Sequence, residues 1–398
     1  PMSDPSTATD RPETPPPGRP SAAALVQSWL PSIKLTILSI VLALAVGAVL
    51  IVVSNDDVLS KFNYFFQDPG DGLAAAVEAV GDTYWALLDG AFGSRDAISA
   101  TLERAAPLMC AGLGVTLAFR VGLFNIGAQG QLIMGAICAA YVGFTWDLPP
   151  VLHLVVAVLA GIIGGAIWGG VVGVLKAQTG AHEVIVTIML NYVALAILRW
   201  LLTLDTFQVA GSNDPVSPIV DSDARFPDFL GVHTGVYVGF AAAIVVWWLL
   251  SRSTVGFEMR AVGANPDAAR TAGISISKAY ILVMLFAGGL AGLAGAEQVN
   301  GHEDPLTDGI AGSLGFDAIT VALLGRGTPL GTVLAAILFG ALDSGGRQMQ
   351  AATGTPLDLT IVLQALIVLF VAAPALVRGV FRIRDREAGE AVLAKGWS

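Results

Sequence analysis

The chain has 398 residues, 55% of them hydrophobic and 13% charged, with 46 glycines and a formal net charge of −10. Soluble domains carry about 25% charged residues, so this composition excludes a water-soluble fold, and the negative charge argues against a nucleic-acid partner. The four histidines show no ligand spacing, and Cys110 and Cys138 fall inside apolar runs as packing residues, so neither a metal site nor a disulfide is expected.

Residues 1–30, with the run PETPPPGRP, hold too little apolar content to fold and read as a disordered cytoplasmic tail. A helix needs roughly 20 apolar residues to cross about 30 Å of hydrocarbon. On that rule residues 31–377 form an all-α integral membrane unit of about ten spans. They lie near 33–54, 98–119, 122–146, 150–175, 184–204, 234–251, 276–298, 311–325, 329–346 and 358–377. The first apolar run is too long for a cleavable signal peptide and is read as retained.

The segments 55–96 and 205–233 are acidic, with Lys61, Arg95 and Arg225 their only bases, and read as an extracytoplasmic insert and loop. Arg120, Lys176, Arg252, Arg260, Arg270, Lys278, Arg326 and the basic tail 378–398 gather on the other side. That bias places both termini and the 252–278 loop in the cytoplasm. Arg347, near the outer end of the ninth span, is the exception.

Polar residues inside the spans mark candidate pathway positions. In GLFNIGAQGQ (122–131), Asn125 and Gln129 are four apart and share a face if the third span starts at Gly122. Glu183, Thr187 and Asn191 repeat that spacing in the fifth span. Such groups face a bundle interior or a wet cavity, and amides with a carboxylate suit a neutral, hydroxyl-rich solute. Interhelical hydrogen bonding, at about 0.6 kcal/mol each, is the alternative. Phe124, Tyr192 and Phe316 lie beside these positions, to stack on a flat ring or simply to pack.

Residues 252–278 spell out a short capped helix. Asn265 suits the N-cap, Pro266 the first helical position, Asp267 the positive end, Arg270 the negative end, and Gly273 a left-handed stop. So short a helix needs something to pack against, which implies a docked partner. Further on, AGSLGFDAITVALLGRGTPL (311–330) is short, broken by glycine and carries Asp317. With 122–131 it forms a pair of interrupted segments pointing to a binding site near the midplane. GIIGGAIWGG (161–170) and AGGLAGLAG (287–295) offer small faces for close helix packing.

No enzyme is expected. Asp343-Ser344-Gly345-Gly346 imitates a serine-protease tetrapeptide but has no histidine base nearby. The chain has no G-x-x-x-x-G-K-[ST] phosphate loop, so it brings no cofactor of its own.

GLFNIGAQGQLIMGA (122–136), HEVIVTIMLNYVAL (182–195), MRAVGANPDAARTAGIS (259–275), FAGGLAGLAGAEQV (286–299) and GFDAITVALLGRGTPLG (315–331) together resemble the permease subunits of bacterial ABC importers. The branch is that of ribose, simple-sugar, nucleoside and branched-chain amino-acid permeases, and the nucleoside or "simple sugar" members are most similar. The likeness runs from about 97 to 377.

It implies a multi-pass protein of the bacterial plasma membrane. The implied partners are a second homologous permease, a cytoplasmic ATPase that binds ATP and Mg, and an extracytoplasmic solute-binding lipoprotein. The pathway residues read from the spans remain Phe124, Asn125, Gln129, Glu183, Thr187, Asn191, Phe316 and Asp317. The resemblance also makes 266–271, with Ala269, a coupling helix; from the residues themselves Gly256, Gly263 and Gly273 read as bends, and Arg260 and Arg270 as partners for acidic residues of the ATPase or simply as positive-inside charges. Gln129 and His182 depart from the Glu and Asn common at those positions in the family. A nucleoside is the expected solute, a simple sugar the next. An ion-coupled carrier using Glu183 or Asp317 is the competing reading.

Overall fold

The structure, a computed structural model, describes residues 22–209, 211–212, 214–301 and 305–382. Most of the expected N-terminal tail (1–21) and of the basic C-terminal tail (383–398) lies outside the described residues. The helices run α1 (Ala22–Ser54), α2 (Asp56–Phe62), α3 (Pro69–Phe92), α4 (Arg95–Arg120), α5 (Ala128–Thr145), α6 (Leu152–Thr179), α7 (Glu183–Leu201) and α8 (Gly235–Arg252). They continue with α9 (Thr254–Ala264), α10 (Pro266–Thr271), α11 (Ile276–Asn300), α12 (Leu314–Leu324), α13 (Pro329–Thr353), α14 (Asp358–Ala372) and α15 (Pro374–Val380). A two-residue hairpin, Asp228–Phe229 with Val232–His233, is the only sheet among the described residues.

Each predicted span contains a helix. Seven of them, α1, α4, α6, α7, α8, α11 and α13, are long and apolar enough to cross a membrane, while α12 and α14 are shorter apolar helices. At the centre α11 packs on α6, α5 and α4. Lipid tails are as apolar as leucine, so close backbone packing must replace the hydrophobic force here. A Cβ on Gly165 would sit 2.3 Å from the Gly288 carbonyl oxygen, and one on Gly288 would sit 2.3 Å from that of Gly165. The two backbones touch directly. Helix α4 is buried without a break from Ala105 to Ala118, as befits a helix surrounded by others.

Several boundaries differ from the sequence reading. The third span starts at Ala128, since α4 ends in a Schellman turn. Gly122 has φ of 78°, and the Leu123 amide donates to Ala118 O and the Gly122 amide to Phe119 O. The eighth is helical only over 314–324, and the tenth breaks between α14 and α15 at Pro374, whose ring carries no amide donor. The ninth continues to Thr353, so Arg347 lies within α13 and sits 3.6 Å from Asp343. At the N-terminus, α1 already begins at Ala22, inside the stretch expected to be unfolded.

The 55–96 insert folds as two helices. The C-terminal half of α3 packs on α13, close enough that a Cβ on Gly345 would lie 2.2 Å from Leu87 O. Its other side exposes Leu73, Val77, Trp85, Leu88 and Phe92. The protease-like Ser344 is in mid-helix and donates to Gly90 O at 2.9 Å.

Candidate functional site

The two interrupted segments meet. Residues 122–127 approach α5 without helical bonds, leaving the first amides of α5 in need of acceptors, and asparagines on two elements supply them. Asn125 Oδ1 accepts from the Gly127 amide at 2.9 Å, and its Nδ2 donates to Gln131 Oε1 at 3.0 Å. Asn191 Oδ1 accepts from the Gly130 amide at 2.8 Å, and its Nδ2 donates to Ile126 O at 2.9 Å. Asn125 is therefore not on a helical face with Gln129. It is buried and fastens the backbone leading into α5.

The Gln129 side chain fastens the other segment. Its Nε2 donates to Gly312 O at 2.8 Å and its Oε1 accepts from the Gly315 amide at 2.8 Å. The approach leaves no room for a side chain, because a Cβ on Gly315 would lie 2.3 Å from the Gln129 backbone nitrogen.

Around this junction lies a cavity of about 250 Å³. Gln129, Asn191 and Phe316 line it together with Ile133, Ile188, Tyr192 and Leu195. At its rim Asp308 receives two hydrogen bonds from Arg199, at 2.7 and 2.8 Å. Those bonds hold the Asp308 carboxyl below the usual carboxylate range.

The remaining expected pathway residues lie elsewhere. Thr187 is fully buried and donates to Val184 O. Glu183, at the start of α7, pairs with Lys176 at 2.8 Å. Phe124 packs its ring on Phe119, with centroids 5.2 Å apart. Asp317 accepts from Ser313 Oγ at 2.6 Å and faces a second cavity of about 560 Å³. The turn Gly309–Gly312 lies between the two cavities and lines both.

At the expected cytoplasmic face the chain forms two helices, α9 and α10. Asn265 caps α10 by accepting from the Asp267 and Ala268 amides, each at 3.0 Å, with Pro266 at the first position. Gly273, at φ of 83°, closes it. Its amide donates to Arg270 O and the Ile274 amide to Ala269 O. Ala269 is buried in an apolar cluster with Met259 and Val262 of α9, while Pro266, Asp267, Arg270 and Thr271 are exposed. Gly256 and Gly263 are not bends. Both lie within α9, where Gly263 rests on the end of α4 so closely that a Cβ would meet Arg120 O at 2.0 Å.

Residues 97–372 match the family model described as the permease component of a branched-chain amino acid transport system. The chain belongs to this permease family.

It is 36% identical to the guanosine ABC transporter permease of Bacillus subtilis (strain 168), over 86% of this chain and 93% of that one. A glucose ABC transporter permease of Haloferax volcanii is 33% identical over 87% of this chain and 88% of its own. The nucleoside ABC transporter permease of Lactococcus lactis subsp. cremoris is 32% identical over 79% and 89%. The permease is thus a multi-pass membrane transporter component and not an enzyme. Among its described residues no group of three or more His, Cys, Asp or Glu is placed to hold a metal ion.

Sequence reasoning passed over two polar groups of this permease, Glu297 and Gln131, and did not foresee the partner of a third, Arg104. Glu297 is fully buried in α11 and accepts from Cys110 Sγ at 3.6 Å. Its signal was a lone carboxylate in AGLAGAEQV, an expensive residue at membrane depth. Gln131, the partner of Asn125, and Arg104, which reaches Asp343 at 2.7 Å, depend on contacts that no spacing reveals.

Proposed function

We propose that this permease forms one half of the path of an ATP-driven importer for a nucleoside. It pairs with a second permease subunit, receives solute from an extracytoplasmic binding protein, and draws on a cytoplasmic ATPase that holds ATP and Mg. The observation that carries the solute class is the lining of the smaller cavity. Tyr192 and Phe316 bring aromatic rings, Ile133, Ile188 and Leu195 an apolar wall, and the amides of Gln129 and Asn191 are already engaged with backbone. Such a lining suits the faces of a flat base. Relatives named for guanosine and for nucleosides support the same reading, and the relative named for glucose keeps a simple sugar as the second one.

Helix α7 exposes Ile185, Met189, Tyr192 and Val193, and α12 exposes Phe316 and Leu323. This apolar face beside the cavity is where the second permease sits, leaving the path between the two.

Coupling follows from what α9 and α10 rest on. Arg120 ends α4 under Gly263, and its Nε donates to Gly327 O at 2.7 Å, just past α12. The first interrupted segment therefore starts, and the second ends, at the joint beneath α9. An ATPase that grips the exposed side of α10 differently in two states moves that joint and shifts which side the cavity faces.

The test is ATP-driven uptake into proteoliposomes by the complete complex. Phe316→Ala and Tyr192→Ala raise the KM for guanosine about tenfold, roughly 1.4 kcal/mol, with basal ATPase activity kept. Uptake that ignores both substitutions, or that glucose competes away while guanosine does not, contradicts the nucleoside reading.

A further inference from the structure

Helix α3 precedes the region matched to the permease family, which begins at residue 97. Its place in the fold is fixed at both ends. Asn55 caps α2 directly after α1, α2 leads into α3, and only Gly93 and Ser94 separate α3 from α4. Helix α4 then runs 26 residues, about 39 Å at 1.5 Å per residue, to Arg120 beneath α9. Helix α3 therefore lies at the end of the bundle remote from α10. Tied there at both ends, its 24 residues run along the bundle instead of crossing to the α10 side.

At 3.6 residues per turn α3 divides into three faces. One is buried on the bundle through Ala75, Thr83, Ala86, Leu87 and Ala91. A second carries Asp71, Glu78, Asp82 and Asp89. The third is apolar and open. Leu73, Val77, Trp85, Leu88 and Phe92, with Gly81 among them, recur every three or four residues along the helix, and Val77 and Trp85 are 74% and 72% exposed. The acidic face suits water and the buried face suits protein, so the apolar stripe, too long to stand in water, needs a third medium.

Its neighbour shows which. Across a groove from Leu73, Val77 and Gly81 stand Ala48, Val49, Val52 and Val53 of α1. Those four residues close the apolar segment Lys34–Ser54, long enough to cross a membrane. Half of a hydrocarbon core of about 30 Å takes about ten residues of helix, so this part of α1 belongs to the leaflet away from α10. The groove sets the α3 stripe at the same depth. Trp85 on the stripe and Tyr64 in the turn before α3 are the residue types enriched at membrane–water interfaces.

We propose that α3 is an interfacial helix whose exposed stripe binds phospholipid acyl chains in the leaflet away from α10, with its acidic face in water. The bilayer thereby supports, from the side the protein leaves open, the contact in which Ser344 of α13 donates to Gly90 O. This role is independent of the solute carried.

The test is spin-labelling of the full-length permease in phosphatidylcholine nanodiscs, one cysteine at a time on a Cys138→Ala parent, Cys110 being fully buried. Labels at Val77→Cys and Leu88→Cys on the stripe are compared with labels at Glu78→Cys and Asp82→Cys on the acidic face. Each is measured for collision with oxygen, which concentrates in lipid, and with a water-soluble nickel chelate. The oxygen-to-nickel ratio should be about fivefold higher on the stripe. Equal ratios overturn the proposal, because the stripe would then face water. Stripe labels shielded from both probes overturn it too, since protein would then cover them. Trp85 gives a check without cysteines. In nanodiscs of dibrominated phosphatidylcholine, the fluorescence that Trp85→Phe removes from the parent should be strongly quenched, and an unquenched Trp85 overturns the proposal.

Discussion

Asn125 and Gln129 stand four positions apart, and the structure gives them different work. Asn125 accepts from the Gly127 amide inside the protein, so Asn125→Ala strands a buried donor and destabilises the fold by about 1–3 kcal/mol. Detergent thermal unfolding should show an earlier midpoint, with uptake and ATPase activity falling together. Loss of uptake at unchanged stability would return Asn125 to the solute path. Gln129 is different because it needs both ends of its amide. Gln129→Glu keeps an acceptor for the Gly315 amide but brings no donor to Gly312 O. We expect it to loosen the turn between the two cavities and change the kcat of transport more than its KM. An unchanged kcat with a raised KM would mean that the side chain reads solute directly. The sequence revealed that polar residues clustered here. Whether an amide faces solute or backbone was hidden, because 122–127 leaves the helical path and resets every face predicted from it.

At the scale of elements, helices with apolar runs and written caps were legible, and the α10 cap came through residue by residue. Helix α3 did not. Asp71, Glu78, Asp82 and Asp89 depress every apolar window across it, yet they recur at seven, four and seven residues, a single acidic stripe at helical period. The amphipathic pattern is there, but acidity this dense also fits an exposed loop. The α6–α11 crossing was legible only as abundant glycine, since which glycines touch depends on helix phase. Gly288→Val inserts a side chain where Gly165 O leaves 2.3 Å, and overpacking of this kind costs about 1–3 kcal/mol. The expected readout is a lower yield of folded permease and an earlier thermal midpoint. A variant as stable as the parent would show that the crossing is looser than described. Gly263→Val acts on coupling. It lifts α9 from Arg120 O, so the ATPase still co-purifies but hydrolysis no longer drives uptake. Normal coupling in that variant would remove α9 from the transmission path.

The whole molecule is a glycine-seamed bundle with two cavities that share the Gly309–Gly312 turn and a short capped helix, α10, exposed on its surface. The competing picture, a carrier driven by an ion gradient, relied on Glu183 or Asp317. Glu183 is held by Lys176 at 2.8 Å at the start of α7, and Asp317 is tied to Ser313. Both carboxylates are thus engaged by neighbours, whereas α10 presents an exposed capped surface that such a carrier has no use for. The most direct test is guanosine accumulation in proteoliposomes, comparing the permease alone with the permease assembled with its ATPase, its second permease and its binding protein. Concentrative uptake should appear only in the full assembly, need ATP on the α10 side, and survive collapse of proton and sodium gradients. Concentrative uptake by the lone chain that an imposed ion gradient drives would contradict the account.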